Sequence, residues 1–91
     1  MDVLSNQDYE DQKEIETNFN ILINDFYYFD SANSLKNSLI KKIKDKSIKL
    51  KKINNNKYRL YAGPFKNFNT LKKTYISLNN LGFENLNIYN D

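Results

Sequence analysis

The sequence predicts an α+β domain of order β-α-β-β-α-β, a four-stranded antiparallel sheet with two helices on one of its faces. Three observations carry this prediction. The body of the chain aligns with itself at an offset of 39 positions: Phe19 falls on Tyr58, Ile21 on Leu60, Ile23 on Ala62, Asn24 on Gly63 and Phe26 on Phe65, then Asp30 on Asn69, Ala32 on Leu71 and Leu39 on Leu78. In each unit an alternating apolar run gives way to apolar residues at helical spacing and then to a second alternating run, so one strand-helix-strand pattern occurs twice. Asn54, Asn55 and Asn56 join the units, and Asn tolerates the left-handed conformations that a hairpin turn needs.

Each element follows in order. Phe19, Ile21 and Ile23 alternate with Asn20, Leu22 and Asn24, giving a first strand with one apolar and one mixed face. Tyr27, Tyr28 and Phe29 form an aromatic loop expected to pack on the helix side. Ala32, Leu35, Leu39 and Ile43 then recur at helical spacing after Asp30 and Ser31, either of which suits an N-cap. Ile48 and Leu50, interleaved with Ser47, Lys49 and Lys51, make the second strand; Tyr58, Leu60 and Ala62, interleaved with Arg59 and Tyr61, make the third. That strand runs into Gly63 and Pro64, one of two glycines and the only proline of the chain. Pro64 has no N–H for a ladder and Gly63 permits close backbone approach, so the strand is expected to end there, with Phe65 folding under as an anchor. Leu71, Tyr75, Leu78 and Leu81 make the second helix after Asn69, and Gly82 stands where a left-handed residue closes it. Leu86 and Ile88, set between Asn85, Asn87 and Tyr89, make the fourth strand.

Right-handed crossovers place both helices on one face, the split βαβ arrangement of ferredoxin-like domains. The other face is left open. Its expected occupants are Asn20, Leu22 and Asn24, then Lys49 and Lys51, Arg59 and Tyr61, and Asn85, Asn87 and Tyr89.

Composition narrows the chemistry. In 91 residues there is no Cys and no His, which removes disulfides, thiolate nucleophiles, and the commonest general base and metal ligand. No paired carboxylate arrangement and no phosphate loop stands out, so no catalytic residue, metal or cofactor is expected. The abundance of Asn, Lys and Ile reads as compositional drift of AT-rich coding sequence. Charge is uneven: residues 1 to 16 carry six acids against Lys13, whereas residues 17 to 91 carry thirteen bases against five acids. The acidic leader, residues 1–17, lacks an apolar period and the basic and apolar regions of a signal peptide, and is expected to be a flexible tether. No apolar run is long enough to span a membrane. Export, and any membrane contact, would come through a larger parent protein.

The segment "YRLYAGPFKNFNTLKKTYISLNNLGFENLNIY" closely resembles the second half of a SPOR domain, the sporulation-related repeat, through Tyr58, Arg59, Leu60, Ala62, Gly63, Pro64, Phe65, Leu78, Gly82 and Phe83. "ILINDFYYFDSANSLKNSLI" resembles its more degenerate first repeat, with Ile21, Ile23, Phe26, Ala32, Leu35 and Leu39 in register. The resemblance covers about residues 18 to 90, and residues 18–91 would form the SPOR-like domain. Three positions depart from the pattern: Leu22 replaces a Gln, Asn24 a Gly, and Asp25 a small residue.

The resemblance implies a noncatalytic module that binds peptidoglycan, preferring glycan strands stripped of stem peptides, at bacterial division sites in the periplasm or cell envelope. It places Leu22, an Asn24-Asp25 turn, Arg59 and Tyr61 along the glycan. Tyr61 and Tyr89 suit stacking on sugar faces, Asn20, Asn85 and Asn87 suit hydroxyl and N-acetyl groups, and Arg59 suits lactyl carboxylates. Other division or envelope proteins are possible partners, and no nucleic acid is expected. Two rival readings use the same surface. Single-stranded RNA binding would follow from the shared strand order of the RRM, but around the third strand only Tyr61 fits an outward stacking position, with Arg59 where a second ring belongs. A protein-interaction module would use the open face or a free strand edge.

Overall fold

The computed structural model describes residues 18–90, so the leader expected to act as a tether lies outside the described residues. The elements are β1 (Phe19–Phe26), α1 (Phe29–Ile43), β2 (Ile48–Asn54), β3 (Lys57–Phe65), α2 (Phe68–Asn80) and β4 (Asn87–Asn90). The strands form one antiparallel sheet in the order β2-β3-β1-β4. This is the predicted ferredoxin-like α+β fold.

The internal repeat is visible in the geometry. Phe29 and Phe68, the first residues of α1 and α2, stand 39 positions apart, as do Ile48 and Asn87, the first residues of β2 and β4. The equivalent pairs Ile21 and Leu60, Ile23 and Ala62, Ala32 and Leu71, and Leu39 and Leu78 are all buried. Each unit supplies one central and one edge strand, and the two central strands, β1 and β3, pair with each other. The core joins Ile21, Ile23, Ile48, Leu60 and Ala62 of the sheet to Leu39, Leu71 and Leu78 of the helices. One sheet face therefore carries both helices and the other is open.

Local chemistry sets the boundaries. Asn55 and Asn56 make a two-residue hairpin between β2 and β3, and the Asn56 N–H donates to Asn54 Oδ1 at 2.8 Å. The cap of α2 is Asn67, two residues before the expected Asn69: its Oδ1 accepts the Thr70 N–H at 3.1 Å, the N3 contact of an N-cap. The helix ends as expected at Gly82 (φ 106°), where the Gly82 N–H reaches the Asn79 carbonyl and the Phe83 N–H the Leu78 carbonyl, the paired bonds of a Schellman motif. α1 starts at Phe29, so Asp30 and Ser31 lie inside its first turn rather than capping it; the cap residue, Tyr28, makes no side-chain bond. Phe29 packs edge-on against Tyr58 at 5.8 Å between centroids, anchoring that start, and Asp30 meets the positive end of the helix. Tyr27 and Tyr28 are exposed, unlike the expected packed loop.

Two irregularities shift strand boundaries. β1 continues through Asn24 and Asp25 to Phe26, so these residues do not form the expected turn. Between the pairs Leu22–Tyr61 and Asn24–Leu60, β1 holds one extra residue, a bulge. β3 likewise continues past Gly63 and a cis-linked Pro64 to the buried Phe65. Here the extra residue is on β3, between the pairs Phe19–Phe65 and Ile21–Ala62. Pro64 is tolerated because a bulge removes the need for its missing donor. Gly63 has φ 146°, its N–H donates to the Ser47 carbonyl at 3.0 Å, and a Cβ there would strike the Asn20 side chain.

Candidate functional site

The open face is built from two rows of side chains that cross the sheet. Alternation along each strand points every second residue away from the helices, and the register brings these residues together. Lys49, Tyr61, Leu22 and Asn87 pair in succession across all four strands. The next row holds Lys51, Arg59 and Asp25. The β1 bulge creates this second row: the extra residue at Ile23–Asn24 restores the phase so that Asp25, not Asn24, faces Arg59.

Asp25 and Arg59 form a two-pronged ion pair, Nε to Oδ1 at 2.9 Å and Nη2 to Oδ2 at 3.1 Å. Lys57 stands 3.9 Å from the same carboxylate. The hydrogen bond from Arg59 holds the Asp25 carboxyl below its ordinary value, against partial burial, with the charges of Arg59 and Lys57 adding to the effect. Reciprocally, the Asp25 hydrogen bond raises the Arg59 pKa above the ordinary arginine value, and Tyr89 adds to this. The guanidinium also lies 5.6 Å from the centre of the Tyr89 ring, and the Lys51 ammonium 5.7 Å from that of Tyr61. The face thus carries an apolar and aromatic strip, Leu22 and Tyr61, with Lys51 over the Tyr61 ring and Arg59 over that of Tyr89.

Several expected site residues sit differently. Leu22, Arg59, Tyr61, Asn87 and Tyr89 are brought together on the face. Asn20 is only 2% exposed: it lies against Gly63, and its Nδ2 donates to the Asn18 carbonyl at 3.2 Å, so it offers nothing to a ligand there. Asn24 is exposed within the bulge and its Oδ1 accepts the Asp25 N–H. Asn85 precedes β4, which begins at Asn87, and lies off the sheet. Asp25 is on the face as the partner of Arg59, so the guanidinium expected to meet a ligand carboxylate already holds one from its own chain.

A second polar cluster was not foreseen. Asp45, in the α1–β2 loop, accepts the Ser47 N–H (2.9 Å) and hydroxyl (2.7 Å) and the Thr74 hydroxyl (2.7 Å), tying that loop to α2. Partial burial pushes the Asp45 carboxyl up, but the hydrogen bonds from Thr74 and Ser47 outweigh it and hold the group below its ordinary value. The short Asp45-to-Ser47 spacing was the only sequence signal for it. These residues border a cavity of about 420 Å³ with Phe65, Lys66 and Lys73, away from the open face.

Among the described residues no group of His, Cys, Asp and Glu could hold a metal ion, and no helix is long and apolar enough to cross a membrane. A scan against protein-family models, a search of curated proteins and a search of solved structures each return no match.

Proposed function

We propose that this chain is a noncatalytic peptidoglycan-binding module of a larger envelope protein, recognising glycan strands that lack stem peptides at bacterial division sites. The observation that carries the reading is the row Lys49–Tyr61–Leu22–Asn87 on an open sheet face, joined to the resemblance to SPOR domains. A sugar ring lies flat on Tyr61 and Leu22, Asn87 exchanges hydrogen bonds with N-acetyl or hydroxyl groups, and Lys49 meets the lactyl carboxylate left when the stem peptide is removed. Arg59, committed to Asp25, holds the Tyr89 ring in place. With Arg59 already paired to Asp25, the face offers a phosphate backbone no uncommitted guanidinium, which favours the glycan over RNA.

The test is cosedimentation of the protein with intact sacculi and with sacculi treated with an amidase that removes stem peptides, each at low and high salt. Binding that rises after treatment and persists at high salt is expected. Absence of binding to both preparations overturns the reading, and competition by single-stranded RNA with steep salt dependence would put RNA in its place.

A further inference from the structure

The two edges of the sheet are built differently. β2 carries Lys49, Lys51 and Lys52, so a second copy laid along it would set ammonium against ammonium, a common guard on a free edge. β4 pairs with β1 on its inner side and, among the described residues, with no strand on its outer side. Its residues, Asn87, Ile88, Tyr89 and Asn90, carry no charge. Backbone donors and acceptors therefore line an edge that no charge guards.

Beside this edge lies an apolar groove of about 240 Å³, lined by Phe68, Leu71, Lys72, Tyr75 and Ile88. Phe68 is 68% exposed and Ile88 48%. Apolar surface gathered in one groove, unlike single scattered side chains, marks a contact surface. We propose that two copies of this chain join through β4, strand against strand about a two-fold axis, so that their two four-stranded sheets become one.

Symmetry, register and charge select a second copy as the occupant. A two-fold axis sets a strand antiparallel to itself, so an uncharged edge beside an apolar groove is complementary to its own image. Ile88 lies on the helix side, paired with the buried Ile21. With both helix layers on one side of the joined sheet, directly opposed residues share a face. Placing Ile88 opposite the partner's Ile88 meets this condition and uses the whole strand. The two side chains then stand at about 5 Å between Cβ atoms and close the two grooves against each other. β3 and β4 both run antiparallel to β1, so they point the same way, and α2 begins at the end of the sheet where they finish. Lys66 stands at that end, whereas Glu84, the only carboxylate of residues 46–90, precedes β4 at the other. The axis turns the copies end for end and brings the Glu84 loop of each toward the partner's Lys66. In the same register Asn87 faces the partner's Tyr89, which carries the open-face row across the junction. The pairing itself does not rest on what that face binds.

Sedimentation equilibrium of the full chain tests the proposal. The contact is small, so the average mass should rise from that of one chain toward that of two between about 10 μM and about 1 mM. Ile88→Lys and Ile88→Glu alter a half-exposed site, and each protein, with circular dichroism unchanged, should stay single over the same range. An equimolar mixture of the two variants should pair again, because opposite charges then face each other across the axis. A wild-type chain that stays single at about 1 mM overturns the proposal. Pairing that persists in either variant alone also overturns it, and assigns the association to exchanged halves or to another surface. So does a mixture that stays single, since Ile88 would then not face its own image.

Discussion

At Gly63 a single hydrogen atom in place of a side chain lets β3 pass directly over Asn20. A Gly63→Ala variant must both leave the φ of 146° and displace Asn20, so thermal unfolding should show a loss of at least about 1 to 3 kcal/mol. Tyr61 stands at the opposite extreme, half-buried on the face with no role in the core. Tyr61→Ala is expected to leave circular dichroism unchanged and to weaken sacculus binding roughly tenfold, about 1.4 kcal/mol. Equal binding by a folded Tyr61→Ala protein would move the glycan site off this row. Arg59 calls for a gentler change, because Arg59→Ala strands Asp25 with Lys57 alone. Arg59→Lys keeps the charge but loses the two-pronged bond, and is expected to loosen Tyr89 more than it alters the fold. The Asp25–Arg59 pair was not legible in the sequence. The partners are 34 positions apart and meet only because the bulge at Ile23–Asn24 rotates Asp25 onto the open face, and counting alternate residues cannot register an inserted one.

Some ends set by local chemistry were read well, although the equally local Asn67 cap of α2 was placed at Asn69; ends that depend on distant partners were not. The Gly82 closure of α2 and the Asn turn between β2 and β3 need only neighbours in the chain, so their residue types announce them. The start of α1 instead follows the contact of Phe29 with Tyr58, which no window of sequence around Asp30 contains. The loop before β2 is likewise fixed from outside, by the Thr74 hydroxyl on Asp45. Because the folded Asp45 pKa lies below its unfolded value, the stability this group provides is complete above the unfolded value near pH 4 and is lost as pH falls through the folded one. Melting temperatures measured across this range should therefore fall in acid for the wild-type chain and fall less for Asp45→Asn. An equally steep decline in the variant would assign the acid sensitivity to other carboxylates.

For the whole molecule, duplication was the strongest signal, because four buried pairs repeat at one offset and each confirms the phase of the others. Leu39 and Leu78 occupy equivalent places in the two helices and are 2% and 0% exposed. Leu78→Ala should cost about 2 to 5 kcal/mol in denaturant unfolding, as removal of a fully packed core side chain does, and Leu39→Ala should fall in the same range if the two halves share the core evenly. The open face was legible as a face but only partly as a set of residues. Leu22, Arg59, Tyr61, Asn87 and Tyr89 follow from alternation alone, whereas the loss of Asn20 reflects the missing Cβ on a neighbouring strand.

The pairing of β1 with β3 also means that the central seam of the sheet joins one repeat to the other. Neither repeat is a self-sufficient body: without its counterpart each exposes the inner edge of its central strand and half of one common core. A chain nicked between Asn55 and Asn56 should consequently persist as two fragments clasped without a covalent link. By the same logic, two intact molecules at high concentration can trade halves and form an intertwined pair in which every seam is native.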